Sequence, residues 1–155
     1  MEISIKALGL EEWVRKINAL KDIEKNPEIN KALGRGAERV RSAVVLLTPV
    51  GLSEYGGTGN LHNKIFTDNP KQNEWHVTTN VEYAIFVEYG TGKLGDPAVP
   101  HTSKESWVYY NDFTKTFFTT HGQKPAHMFT KGFATTHKAV TEIVKKEIEE
   151  IVRNA

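Results

Sequence analysis

The chain has no cysteine, which excludes a disulfide frame and any zinc site built on thiolates. No apolar run approaches 18 residues, so no stretch reads as a membrane-crossing helix. The charge is nearly balanced, with a formal net value of +1, and this argues against a strongly basic nucleic-acid binder or an acidic mimic. Met1-Glu2-Ile3-Ser4 lacks the basic and long apolar regions of a signal peptide, so synthesis in the cytoplasm is expected. What remains is 155 residues, 39% hydrophobic and 25% charged, the make-up of one ordinary domain long enough to bury a core. No internal repeat or linker divides it.

The densest apolar and aromatic run lies near the middle, from Asn80 to Gly92. Val81, Ala84, Ile85 and Tyr89 share one helical face, while Val81, Tyr83, Ile85, Val87 and Tyr89 fit strand alternation, and periodicity does not decide so short a run. Its ends favour a short helix: Asn80 can cap it by accepting from the amide of Glu82 or Tyr83, and Gly90 can close it in the left-handed conformation. Glu88 then sits in the last turn, where the helix dipole disfavours a carboxylate. It therefore answers to something beyond local stability. If its partner lies on another subunit, Glu88→Ala should leave thermal stability nearly unchanged.

In chain order, Ile3 and Ile5 alternate with Ser4 and Lys6 as a short strand. Leu10, Trp13, Val14, Ile17 and Leu20 then form the stripe of a first helix. Asn26-Pro27-Glu28 starts a second helix with a capping side chain, a proline at the first position and an acid in the first turn. This helix carries Ala32, Gly36, Ala37 and Ala43, small enough for another element to approach closely, and Thr48-Pro49 ends it. A loop with four glycines (Gly51, Gly56, Gly57, Gly59) follows. Leu61 to Phe66 and Glu74 to Thr78 read as strands joined by a turn over Asn69 to Asn73. Gly92 to Lys104 is loop. Trp107 to Tyr110 and Thr116 to Thr119 flank Asn111-Asp112 as an aromatic hairpin. From about Thr130 the chain reads as a last helix with a stripe of Phe133, His137, Val140, Ile143, Val144, Ile148, Ile151 and Val152. The fold class is α+β: a small antiparallel sheet with an aromatic hairpin, packed against two or three longer helices.

Chemistry-bearing motifs are scarce. The six histidines lack the close spacing of zinc motifs and read as structural or surface residues. Gly90-Thr91-Gly92-Lys93 looks like a fragment of a phosphate loop, but Val87 and Leu94 stand where that pattern needs glycine and a hydroxyl residue. Lys31, Arg35 and Arg39 share a helix stripe that could touch phosphates or simply face water. Acids are scattered, with no general acid/base pair and no nucleophile elbow. The oddity is the hairpin. Trp107, Tyr109, Tyr110, Phe117 and Phe118 are many aromatics for a protruding ribbon, and a partner surface is the alternative to core. Their alternation puts Trp107 and Tyr109 on one face and Tyr110 on the other, with Phe117 and Phe118 split likewise.

Several stretches together resemble a known family, the gene-ten-like neck and tail-completion proteins of lambdoid and related tailed phages. They are Thr48-Pro49 after the long helix, then Thr58-Gly59-Asn60-Leu61, similar to the family's Thr-Gly-x-Leu. Tyr83-Ala84-Ile85-Phe86-Val87-Glu88-Tyr89-Gly90-Thr91 is similar to Tyr-Ala-x-x-Val-Glu-Tyr/Phe-Gly-Thr. Pro125-Ala126-His127-Met128-Phe129 resembles Pro-x-x-Pro-Phe, with Met128 in place of the second proline. The loop from Gly51 to Gly57 is longer than the family's. The resemblance covers nearly the whole chain.

The resemblance implies a virion structural protein without catalysis, cofactor or metal. It would form a ring of six copies at the head–tail junction, contacting tail tube or other tail proteins and the head connector, with DNA only as cargo passing through. It implies no membrane association. The expected organisation is a single domain over residues 1–155 with a hairpin arm at about 105–120. Candidate subunit or partner contacts are Glu88, Tyr89, Gly90 and Thr91, the hairpin aromatics Trp107, Tyr109, Tyr110, Phe117 and Phe118, and Met128 and Phe129. A small DNA-binding module and, behind it, a small hydrolase are the alternatives. Salt-dependent binding marks the first; a pocket with convergent polar groups marks the second.

Overall fold

The computed structural model of the chain describes residues 10–155; the strand expected at Ile3 to Lys6 lies outside them. The described elements are α1 (Leu10–Lys21), α2 (Pro27–Leu47), α3 (Asn60–Asn63), β1 (Ile65–Lys71), β2 (Glu74–Thr79), α4 (Ala84–Tyr89), β3 (Trp107–Asn111), β4 (Thr116–Thr120) and α5 (Met128–Arg153). The fold is α+β, with β1–β2 and β3–β4 as two separate antiparallel ribbons beside the long helices.

The α2–α5 pair is the frame. Asn26 caps α2 by accepting the Glu28 amide at 2.9 Å, with Pro27 in the first turn, as its sequence signals require. Two glycines set the helix spacing. A Cβ at Gly36 would stand 2.8 Å from Val140, and one at Gly132 would stand 2.6 Å from Val44. Neither helix could approach so closely with a side chain there. This choice of contact turns the start of α5 away from its expected stripe: Met128, Gly132 and Thr136 are buried, while Phe133 and His137 face outward; from Val140 on, the expected stripe is half-buried. The helix also begins at Met128, two residues earlier than expected.

The β1–β2 ribbon lies on α2. Trp75 covers Gly34, where a Cβ would stand 2.8 Å from the ring, and its Nε1 donates to the Asn30 carbonyl at 3.1 Å. The Asn73 amide donates to Asn30 Oδ1 at 2.9 Å, and Asn73 Nδ2 to the Glu24 carbonyl at 2.6 Å. The first strand differs from expectation. Asn60–Asn63 is one helical turn, and β1 runs on through Pro70 to Lys71. The ladder tolerates Pro70 because its register breaks between Asp68 and Lys71, and a bulge needs no amide there. The turn shrinks to Gln72-Asn73, with Asn73 at φ +60°.

The core gathers Val44, Leu61, Ile65, Val81, Ala84, Val87 and Met128. The central helix is shorter than expected. Asn80 does not cap it: the Val81 amide donates to Thr79 Oγ1 at 3.3 Å, and α4 starts at Ala84 after a turn. Gly90 does close it at a positive φ of +75°, but with ψ −175°, an extended region that essentially only glycine enters rather than the left-handed helical one.

Candidate functional site

The candidate residues divide into a sealed joint and an open ribbon. The joint begins with α5, whose residue before the first turn is His127, at φ +52° and with no side-chain cap of its own. Its free amides are met from 40 residues away in sequence, by Glu88. One Glu88 oxygen, Oε2, accepts the Phe129 amide at 2.9 Å; the other, Oε1, accepts the Thr130 amide at 3.0 Å and the Thr130 hydroxyl at 2.7 Å. A carboxylate is favoured at a helix N-terminus, so the acid that is misplaced in α4 is well placed for α5. The backbone repeats the tie: the Ala126 and His127 amides donate to the Val87 and Glu88 carbonyls at 2.9 and 3.0 Å.

Beyond α4 the two chain segments lock together. Thr91 and Gln123 exchange amide-to-carbonyl bonds at 2.9 and 3.1 Å. A Cβ at Gly90 would lie 2.4 Å from the Gln123 carbonyl oxygen and 2.8 Å from the Pro125 nitrogen. Tyr89 meets His127 edge-on, with ring centroids 6.4 Å apart. Met128 is 0% exposed and receives the Thr48 hydroxyl on its sulfur at 3.3 Å. Glu88 is 5% exposed.

Glu88, Gly90 and Met128, expected at a contact with another subunit, are therefore buried and bonded within one chain, and Thr91 joins them through Gln123. Phe129 and Tyr89 are half-buried and keep some surface. The expectation that Glu88→Ala is neutral falls with this finding. One sequence signal pointed to the cap: the last helix has no Ser, Thr, Asp or Asn before it, and Glu88 has no local reason to be where it is.

The β3–β4 ribbon keeps the other five candidates together. Tyr109 stacks on Phe118 with centroids 6.0 Å apart, and Tyr110 meets Phe117 at 5.0 Å. The cross-strand register places Trp107, Tyr109 and Phe118 on one face, and Val108, Tyr110 and Phe117 on the other. Trp107 is half-buried at the base, where a Cβ on Gly92 would stand 3.0 Å from its ring. The outer face is open, with Phe117 73% exposed. At the tip, Phe113 rests on Gly56 of the glycine loop; a Cβ there would lie 2.9 Å from the Phe113 Cβ.

The fragment Gly90 to Lys93 is not arranged as a phosphate cradle. Lys93 pairs with Glu105, and Gly92 lies under Trp107. Two of the three stripe cations are also engaged: Lys31 pairs with Glu28 at 2.6 Å and Arg35 with Glu147 at 2.6 Å. Among the described residues no group of three histidines, cysteines or acids could hold a metal, and no helix is long and apolar enough to cross a membrane. Cavities exist beside α4, of about 360 Å³ between the glycine loop and Tyr83, and between α2, α5 and β2, of about 480 Å³. Neither gathers an acid/base pair.

Sequence reasoning missed one surface. Leu10, Trp13, Val14, Ile17 and Leu20, read as the core stripe of α1, all point outward, with Trp13 67% exposed; α1 has no buried residue. Periodicity reports an apolar face and is silent on what covers it. Searches against protein-family models, curated proteins and solved structures return no match.

Proposed function

We propose that the protein is a structural component of a tailed phage or phage-tail-like particle. It assembles as a ring at the head–tail junction, completes the tail and joins it to the head connector. The observation that supports this most is the meeting of the four stretches that resemble the neck family. Thr48 bonds to Met128, Leu61 and Val87 pack with Met128 in one core, and Glu88 caps the helix that Met128 begins. Stretches spread over 80 residues thus form one physical unit, as motifs of a shared fold would. The partners in this reading are further copies of the chain, tail tube or other tail proteins, and the connector, with DNA passing through the ring. The role asks for no catalytic group or cofactor.

The β3–β4 ribbon serves as an assembly arm in this reading. A two-stranded ribbon is marginal in water, and its Tyr110–Phe117 face is exposed among the described residues. Native mass spectrometry and negative-stain microscopy test the ring: closed, concentration-dependent rings are expected. Nucleic-acid binding by monomers that falls steeply with salt would replace this reading with a DNA-binding module. Hydrogen exchange tests the arm. The amides of Trp107 to Tyr110 should exchange fast in the monomer and slowly in the ring; strong, equal protection in both would make the ribbon ordinary core.

A further inference from the structure

The exposed stripe on α1 has a counterpart on the same molecule. Leu33, Val140, Val144 and Ile148 line an apolar groove of about 460 Å³ along α5, rimmed by Lys145 and Glu149. Leu33 and Val140 also line the cleft between α2, α5 and β2, which extends the groove to Phe133. α1 touches α5 of its own chain, but no α1 residue lines either part. From Phe133 to Ile148 the path is roughly 22 Å long, and the α1 stripe from Leu10 to Leu20 is roughly 15 Å, at 1.5 Å rise per residue.

We infer that α1 of one copy seats its Leu10, Trp13, Val14, Ile17 and Leu20 face in the α2–α5 groove of the next copy. This rests on the ring reading and names a contact that would close it. The donor and the acceptor are different surfaces of one chain, both apolar, the first exposed and the second a half-exposed groove, and they are compatible in length. Such a pair is a heterologous contact, the kind that generates rings or filaments rather than a two-fold dimer. The α1 stripe offers on the order of 500 Å² of apolar surface, the size of a functional patch but below the roughly 800 Å² per partner of a stable isolated complex. One contact alone is therefore weak. Assembly gains strength when each subunit uses both surfaces at once and the ring closes.

Complementary variants test it. Trp13→Glu changes an exposed side chain and should leave the monomer folded. Thr141→Trp, at an exposed position lining the groove, should block the acceptor without entering the core. Each alone should raise the concentration for half-assembly by roughly 30-fold or more, the effect of losing an interface hot spot. Mixed in equal amounts they retain one good contact per pair, so sedimentation should find no rings, and heterodimers only at high concentration. Rings unchanged by Trp13→Glu would overturn the α1 contact and leave the ring reading standing. Open filaments abolished by Trp13→Glu would keep the contact and overturn the ring. Assembly lost with Trp13→Glu but intact with Thr141→Trp would overturn the groove as the acceptor. A parent that stays monomeric at every concentration, with α1 amides as protected as those of α2, would assign the cover to the chain's own first residues and overturn the inference.

Discussion

The β1–β2 ribbon lies along α2, with Trp75 over Gly34 and its turn bonded to Asn30 and Glu24. The β3–β4 ribbon has no comparable helix beneath it and is held at its base by the joint and at its tip by Gly56. The first ribbon uses its one tryptophan to fasten itself to its own domain. The second carries five aromatics and uses mainly Trp107 this way, leaving Tyr110 and Phe117 paired in the open. Aromatic content thus does not tell where a ribbon packs. What distinguishes them is whether a glycine on another element makes room for the ring along the ribbon's length or only at its foot.

Gly90→Val should break the comparison most severely, because it pries apart the joint from which the second ribbon springs. The new Cβ meets the Gln123 carbonyl and Pro125, and the backbone is at φ +75°. Strain and overpacking together come to on the order of 3–5 kcal/mol. Urea denaturation should find the variant largely unfolded or deeply destabilised, and a melting temperature equal to the parent's would refute this account of the joint.

Glu88→Ala comes next. It strips the α5 amides of their acceptor in a buried place, at about 2–3 kcal/mol, whereas Glu88→Gln keeps one acceptor and should cost less. Measured stabilities in the reverse order would mean that the carboxylate is not a cap.

A paired test sharpens the contrast between the ribbons themselves. Trp75→Ala removes a ring packed on α2 and should destabilise the monomer by about 2–4 kcal/mol. Phe117→Ala, on an open face, should stay within about 0.5 kcal/mol in the monomer while weakening assembly. Equal losses in denaturation would erase the distinction between an anchored ribbon and an arm.

The smallest effect belongs to pH. Thr67 Oγ1 donates to Glu38 Oε1 at 2.6 Å and ties β1 to α2. That bond, with Arg41 beside it, holds the Glu38 carboxyl below its ordinary 4.5. A lowered folded-state value means stability that is present above the unfolded value and lost as pH falls through the folded one. For so exposed a group the amount is under about 1 kcal/mol. Thr67→Val should flatten the stability profile of the parent below about pH 4.5, and an unchanged acid limb would show that the bond contributes nothing.

Much of the fold was legible where a local signal matched local physics. Asn26-Pro27 and Thr48-Pro49 bounded α2, and the two faces of the β3–β4 ribbon followed from alternation. The failures share one cause: the deciding partner was remote. Pro70 reads as a turn until the bulge beside it is seen. Phe133 reads as core until Gly132 brings α5 against Val44. Glu88 reads as an orphan, and so as a candidate for another subunit, until α5 arrives 40 residues later without a cap. The α1 stripe shows the converse limit, since its pattern is that of a buried helix and its surroundings are not.

The rest of Phe113 on Gly56 couples two lengths that look independent in the sequence. The ribbon reaches out by five residues per strand, roughly 17 Å at 3.3 Å each. The glycine loop, pinched at its neck by the Gly57 amide on the Leu52 carbonyl at 2.9 Å, rises to meet its tip. A loop shortened by deletion would fall short of the ribbon, and a ribbon extended by one cross-strand pair would overshoot the loop. Among variants of this chain, insertions in the two places should therefore occur together, so that the length of the loop is a measure of how far the ribbon extends.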